Sequence, residues 1–241
     1  MSPLLSLQGV SKRFRGLVAV DSVSFDVAPG ELFAIIGPNG AGKTTLFNMI
    51  AGAIAPDDGL INFAGEPIGG LPPDAICRRG IGRTFQIVRP FPALTVEDNV
   101  IVGALLRSRD VGRARKSARD LLRRLDLFDQ RHRIAATLTL PDRKRLEVAR
   151  ALATEPKLLL LDEVMAGLRP IEGDRMVAML RTLNRDGGLT IVLIEHVMRA
   201  VMALASRVLV LDHGIAIAQG QPEAIVRDPA VVQSYLGAEP V

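Results

Sequence analysis

Residues 37–44 read Gly37-Pro38-Asn39-Gly40-Ala41-Gly42-Lys43-Thr44 and fit the pattern G-x-x-x-x-G-K-[ST] without a mismatch. The chemistry this suits is the holding of phosphate. A polyphosphate needs many donors at close range. Glycines at 37, 40 and 42 let backbone N–H groups close on it without side-chain obstruction. A helix starting just after the loop aims its positive end at the same anions. The Lys43 ammonium can then reach the β- and γ-phosphates, and the Thr44 hydroxyl can ligate Mg²⁺.

Such a site also needs a carboxylate at the end of a neighbouring strand. The run Leu158-Leu159-Leu160-Leu161-Asp162-Glu163 supplies two. Asp162 is the expected Mg²⁺ partner, through water, and Glu163 stands beside it as a base for an attacking water. Taken alone, the run reads equally well as an apolar strand that exits to solvent at two acids. Paired with the phosphate loop, the chemical reading prevails. His196 follows a third apolar run, residues 190–194. A histidine after a strand is either a surface or satisfied core residue or a contact to the γ-phosphate, and the pattern leaves both open.

These groups need a scaffold. Residues 4–27 alternate loosely between apolar and polar, which predicts short antiparallel strands ending at Pro29-Gly30. Residues 32–36 form a continuous apolar run, the pattern of a strand buried on both faces. The loop follows it directly, then a helical stretch ending near Gly52. Further apolar runs at 158–161, 190–194 and 208–211 are separated by helical spacings such as Met176, Met179, Leu180 and Leu183. Strands alternating with helices predict a mostly parallel sheet covered on both faces. Its strand ends share one rim, where ligands of such sheets bind. The stretch 88–156 has no comparable strand. The expectation is one unit over residues 4–237: an α/β core split between about 4–87 and 157–237, with a helical subdomain, about 88–156, threaded between.

Composition narrows the class. With 241 residues, 48% of them hydrophobic and 23% charged, the chain can bury a sizeable core and is not disordered. No apolar run approaches the ~20 residues of a membrane-spanning helix. The start offers no long secretory h-region, and the single Cys77 excludes an intrachain disulfide or a cysteine-based zinc site. A cytosolic chain is expected. The net charge of +4 is local: residues 107–124 hold eight Lys or Arg against two Asp. There Ala114, Ala118, Leu121, Leu122 and Leu125 fall at helical spacing, which predicts a solvated basic helix face. With aromatic content at 4% and no RNA-type aromatic motif, the basic stretch supports nucleic-acid binding only weakly.

In chain order, the loop with Thr45, Gln86 in Arg83-Thr84-Phe85-Gln86, Asp162-Glu163 and Ile194-Glu195-His196 resemble the motifs of the ATP-binding cassette family over nearly the whole chain. Residues 14–25, 82–100 and 157–170 and the ending Tyr235-Leu236-Gly237 look like the ATPase subunit of branched-chain amino acid importers. That resemblance implies an α/β P-loop NTPase fold with a mostly parallel core, an N-terminal antiparallel β subdomain and an inserted helical subdomain. It implies ATP and Mg²⁺ as cofactors. Phe14 would stack on adenine, residues 37–45 would hold the nucleotide, and Gln86 would join Thr44 and Asp162 at the metal. Glu163 would be the base and His196 the γ-phosphate switch. The implied partners are transmembrane permease subunits, a second ATPase in a head-to-tail homodimer or heterodimer and, indirectly, a solute-binding protein. The implied place is cytoplasmic, on the inner face of the cell membrane. The apolar string Val88, Phe91, Leu94 and Val96 is a permease-facing surface or buried packing.

The chain departs from the family pattern where Leu-Ser-Gly-Gly-Gln is usual. It has Leu138-Thr139-Leu140-Pro141-Asp142. Thr139 can replace the serine hydroxyl, but Leu140 adds bulk, Pro141 has no N–H to donate, and Asp142 is unfavourable beside phosphate unless it points away. The same residues make a sound helix start, with Thr139 as cap. Val164 stands where proline is usual, and Arg169 where Asp or Asn is. The leading expectation is an ATPase driving import; the alternative is an ATP-binding regulatory module with weak hydrolysis. A nucleic-acid repair ATPase is disfavoured, because the 119 residues from Lys43 to Asp162 leave no room for a long coiled coil.

Overall fold

Strand β3 (Leu32–Ile36) is buried along its whole length, and the reason lies in what covers each face. Leu32, Ala34 and Ile36 pack into one apolar cluster. Phe33 and Ile35 point the other way into a second. A strand covered on both sides needs apolar residues at every position, so alternation is absent from its sequence although the pleat still sorts the side chains. The computed structural model describes residues 2–85 and 90–236.

Among the described residues two sheets make up the frame. Strands β1 (Leu5–Phe14) and β2 (Leu17–Val27) form a long antiparallel hairpin, longer than the short strands expected. After β3 comes helix α1 (Lys43–Ile50), and then β4 (Asp58–Phe63) and β5 (Glu66–Pro67) complete a four-stranded sheet in the order β2-β1-β4-β5. Helix α2 (Pro73–Arg79) leads into β6 (Ile81–Arg83), a strand of three residues that periodicity could not disclose. Helices α3 (Val96–Ala104), α4 (Val111–Arg124) and α5 (Leu140–Leu152) follow. The chain then alternates through β7 (Leu158–Asp162), α6 (Pro170–Gly187), β8 (Thr190–Ile194), α7 (Met198–Leu204), β9 (Arg207–Asp212) and β10 (Ile215–Gly220), and ends in α8 (Pro222–Ile225) and α9 (Pro229–Leu236).

The main sheet runs β10-β9-β3-β8-β7-β6, parallel except for the antiparallel edge strand β10. Helix α1 packs Leu46, Phe47, Met49 and Ile50 between this sheet and the antiparallel one. Helices α3 to α7 bury their apolar residues against the opposite face. On α4, Ala114, Ala118 and Leu122 are buried and the basic residues lie outward, as an amphipathic helix requires. Register aligns Asp162 with Ile194 and Ile36 with Val210, so β3, β7, β8 and β9 end on a common rim. That rim is where the loops bearing the chemical groups start.

Candidate functional site

Three glycines shape the loop between β3 and α1. Gly37, Gly40 and Gly42 have φ of 147°, 83° and 97°, conformations that side-chain-bearing residues rarely adopt. A Cβ at Gly37 would stand 2.0 Å from the Leu211 carbonyl oxygen, and one at Gly42 2.3 Å from that of Ala19. The loop is therefore wedged between β9 and β2, and only bare backbone fits. No side chain caps the start of α1, so its first N–H groups keep their donors for an anion. Lys43 is buried, and its Nζ donates to the carbonyls of Gly37 at 2.7 Å and Pro38 at 2.8 Å. Burial lowers the Lys43 pKa, against the opposing pull of Glu163 and Asp162. The ammonium is thus held in the middle of the loop, facing two carboxylates.

The loop, Phe14, Leu17, Val18, Ala19, Glu163 and His213 line a cavity of about 490 Å³, within the range of a nucleotide-sized pocket. Phe14, at the end of β1, is 45% exposed, with the Lys12 ammonium 5.7 Å from its ring centroid. Asn39, Gly40, Ala41, Thr44 and Thr45 line the same space; Pro38 contributes its carbonyl to Lys43.

Asp162 ends β7 with its carboxylate out of solvent. Burial raises its pKa, and Arg83, 3.4 Å away at Oδ2, works against this. Arg83 also donates to Asn48 Oδ1 at 2.7 Å, tying α1 to β7. Asp162 Oδ1 is buried and has no hydrogen-bond partner among the described residues. A buried carboxylate oxygen without a donor is costly, and a cation beside it removes that cost. No cluster of three His, Cys, Asp or Glu exists among the described residues. One carboxylate and the Thr44 hydroxyl suit a divalent ion that takes its other ligands from phosphate and water.

Glu163 follows in the left-handed region at φ 49°, an uncommon conformation for a residue with a side chain. Its N–H donates to the Ile194 carbonyl at 3.0 Å, and its carbonyl accepts from Lys144 Nζ at 2.8 Å. His196 is exposed just beyond β8 and is not part of the cavity lining within one chain. Gln86 lies outside the described residues. His213 was not anticipated. It lines the cavity from the turn between β9 and β10, where an Asp-His-Gly sequence was its only signal.

Residues 20–166 match the ABC transporter family, and residues 217–241 match the C-terminal segment of branched-chain amino acid ATP-binding cassette transporters. The chain belongs to the ABC transporter family. It is a transport ATPase of the ATP-binding cassette type. LivG of Escherichia coli K12, a high-affinity branched-chain amino acid transport ATP-binding protein, is 40% identical over 98% of each chain. The lipopolysaccharide export ATP-binding protein LptB of Acidithiobacillus ferridurans is 37% identical over 98% of each. Among solved structures, a nucleotide-free ATP-binding cassette has a TM-score of 0.90 at 30% identity, covering 98% of this chain and 100% of that one. A dimeric cassette in a post-hydrolysis state, bound to ADP and phosphate, has a TM-score of 0.83 at 25% identity, covering 90% and 98%.

In this cassette the stretch 139–142 does not reach the chain's own phosphate loop; it borders a separate cavity with Arg145, Leu168 and Glu172. Thr139 caps α5, and its hydroxyl donates to Asp142 Oδ2 at 2.8 Å. Asp142 Oδ1 accepts from Arg145 at 2.5 Å. Burial acts to raise the Asp142 pKa, and the Thr139 hydroxyl, Gln130 and Arg145 outweigh it, leaving the carboxyl below its ordinary value. The negative charge is engaged within its own helix by Thr139 and Arg145. Pro141 occupies the first turn, where no N–H is needed for the fold. Leu140 packs towards the loop at Gly167. Arg169 stands at the N-cap of α6, its N–H donating to Glu172 Oε2 at 2.9 Å and its guanidinium to Glu172 Oε1.

The apolar string divides between the two readings, surface and buried packing. Val96 is fully buried, being the first residue of α3 with its side chain in the core. Phe91 and Leu94 are exposed, and the buried Asn99 side chain fixes Phe91 through hydrogen bonds at 2.8 and 3.1 Å. Val88 lies outside the described residues.

Proposed function

We propose that this ATPase energises an importer for branched-chain amino acids or related small solutes. It would sit on the inner face of the cell membrane against permease subunits that receive cargo from a solute-binding protein. LivG is named for high-affinity branched-chain amino acid transport, and the match at residues 217–241 supports that cargo class over the lipopolysaccharide export named for LptB. The regulatory-module alternative is not favoured, since the relatives are named as transport ATP-binding proteins. We further propose the division into a split core, about 4–87 and 157–237, and a helical subdomain, about 88–156.

The observation that carries the catalytic reading is the meeting of the loop, Lys43 and Glu163 around one cavity, with Asp162 acting on the same ammonium. Loop amides and Lys43 would draw charge from the γ-phosphoryl group. Glu163 would take a proton from water as its oxygen bonds phosphorus and the bond to the ADP oxygen breaks. Phe14 would stack on adenine, and His196 would contact the γ-phosphate. Thr44, Asp162 and Gln86 would hold Mg²⁺, whose charge, when bound, offsets that of the phosphates. Residues 139–142 would meet the nucleotide of a second ATPase, identical or a sister chain.

Glu163→Gln tests this. It should keep ATP affinity in calorimetry while steady-state turnover falls roughly 10²–10⁴-fold, the range of a general base. Normal turnover would remove Glu163 from that role. Stimulation by leucine or valine of the assembled transporter tests the cargo; no response to either would redirect the reading to another solute.

A further inference from the structure

Two buried charged side chains stand beneath the Glu163 turn without a role in the chemistry described. Lys144, on α5, is 4% exposed, and its Nζ donates to the Glu163 carbonyl at 2.8 Å. Glu195, just after β8, is 1% exposed, and its Oε1 accepts from the Met165 N–H at 2.8 Å. The Glu163 N–H is held by Ile194. Residues 163–165 are thus tied to β8 on one side and to α5 on the other. Glu163 needs such ties, because its left-handed φ of 49° is a conformation that persists only where the surroundings impose it.

We propose that Lys144 is a positioning residue for hydrolysis. Through the carbonyl of Glu163 it sets where that residue's carboxylate points, and it couples the carboxylate to helix α5. A buried ammonium with a main-chain carbonyl partner is a strong, short-range tether. It lies five residues into the helix capped by Thr139. Whatever shifts the start of α5, a second chain's nucleotide included, therefore pulls on the turn that carries Glu163. This rests on the base role proposed for Glu163.

Lys144→Met removes the ammonium and keeps the buried stem. In the full-length chain it should lower kcat roughly 10–100-fold, since a displacement of about 1 Å costs on the order of 10². The Kd for ATP should stay within about threefold, because the phosphate loop is untouched. Lys144→Arg should recover most of the lost turnover. In a Glu163→Gln background, Lys144→Met should cause no further loss, the signature of two residues acting as one. Equal losses in both backgrounds, a matching loss of ATP affinity, or unchanged kcat in Lys144→Met would overturn the proposal. If Lys144→Met fails to fold, Lys144→Gln enters the same cycle with the same outcomes. Normal turnover of Glu163→Gln alone would instead sink the base reading, so the two failures are distinguishable.

Discussion

At the scale of single residues, the site is a set of charges held out of water with few partners. Lys43, Asp162, Lys144 and Glu195 are all buried around the ends of β3, β7 and β8. Glu195 shows the cost: Oε1 is satisfied by Met165, Oε2 has no partner among the described residues, and burial raises its pKa. A carboxyl whose pKa is higher folded than unfolded stabilises fully below the unfolded value, and that stability drains away as pH rises through the folded value. Glu195→Gln keeps an acceptor oxygen for Met165 and cannot ionise. Its thermal midpoint relative to the parent should therefore improve as pH is raised from about 4.5 towards 8, near and above the unfolded carboxyl pKa. A difference that stays flat, or shrinks, would show that the carboxyl is not held protonated by its surroundings.

Elements convert these residues into geometry. Helix α5 begins at Thr139 because the hydroxyl meets the Asp142 N–H at 3.4 Å while its own proton goes to Asp142 Oδ2, and Arg145 completes the knot. Thr139→Ala removes both contacts and leaves Asp142 buried with one partner fewer. The expected loss is about 1 kcal/mol, or roughly 2–4 °C in thermal midpoint for a chain of this size. An unchanged midpoint would mean the cap contributes nothing. Much of this element was legible beforehand: Thr139 as cap and Pro141 in the first turn follow from local backbone chemistry. The direction of Asp142 was not, because it depends on Arg145, whose guanidinium is shared between Asp142 and the distant Asp126.

The whole molecule adds a constraint that no element carries. Within one chain the phosphate cavity and the stretch 139–142 border different cavities, and the role proposed for that stretch is towards the nucleotide of a second ATPase. A related cassette crystallised as a dimer bound to ADP and phosphate. In that proposed contact Leu140 and Pro141 would withhold the bare backbone and the N–H that glycines would supply. Leu140→Gly/Pro141→Gly should raise steady-state hydrolysis of the assembled transporter at least several-fold, given that one preorganised amide donor is worth roughly 10²–10³ in kcat. Unchanged hydrolysis would show that the altered start of α5 has no mechanistic cost.

Sequence alone determined what is local. The phosphate loop is eight consecutive residues whose backbone conformations and donors are written into glycine, lysine and threonine. The buried strands announce themselves as unbroken apolar runs, and α4 and α6 by their spacing. Tertiary structure decided everything that joins distant segments. Arg83 meets Asp162 across 79 residues, Lys144 meets the Glu163 carbonyl across 19, and Glu195 meets Met165 across 30. Val96 is hidden while Phe91 is not, although both are apolar neighbours in the chain. Periodicity reports which face of an element turns inward, but not which charge will be waiting there. That pairing is set by how sheets and helices pack, once the desolvation of each buried charge has to be offset by a partner from elsewhere in the fold.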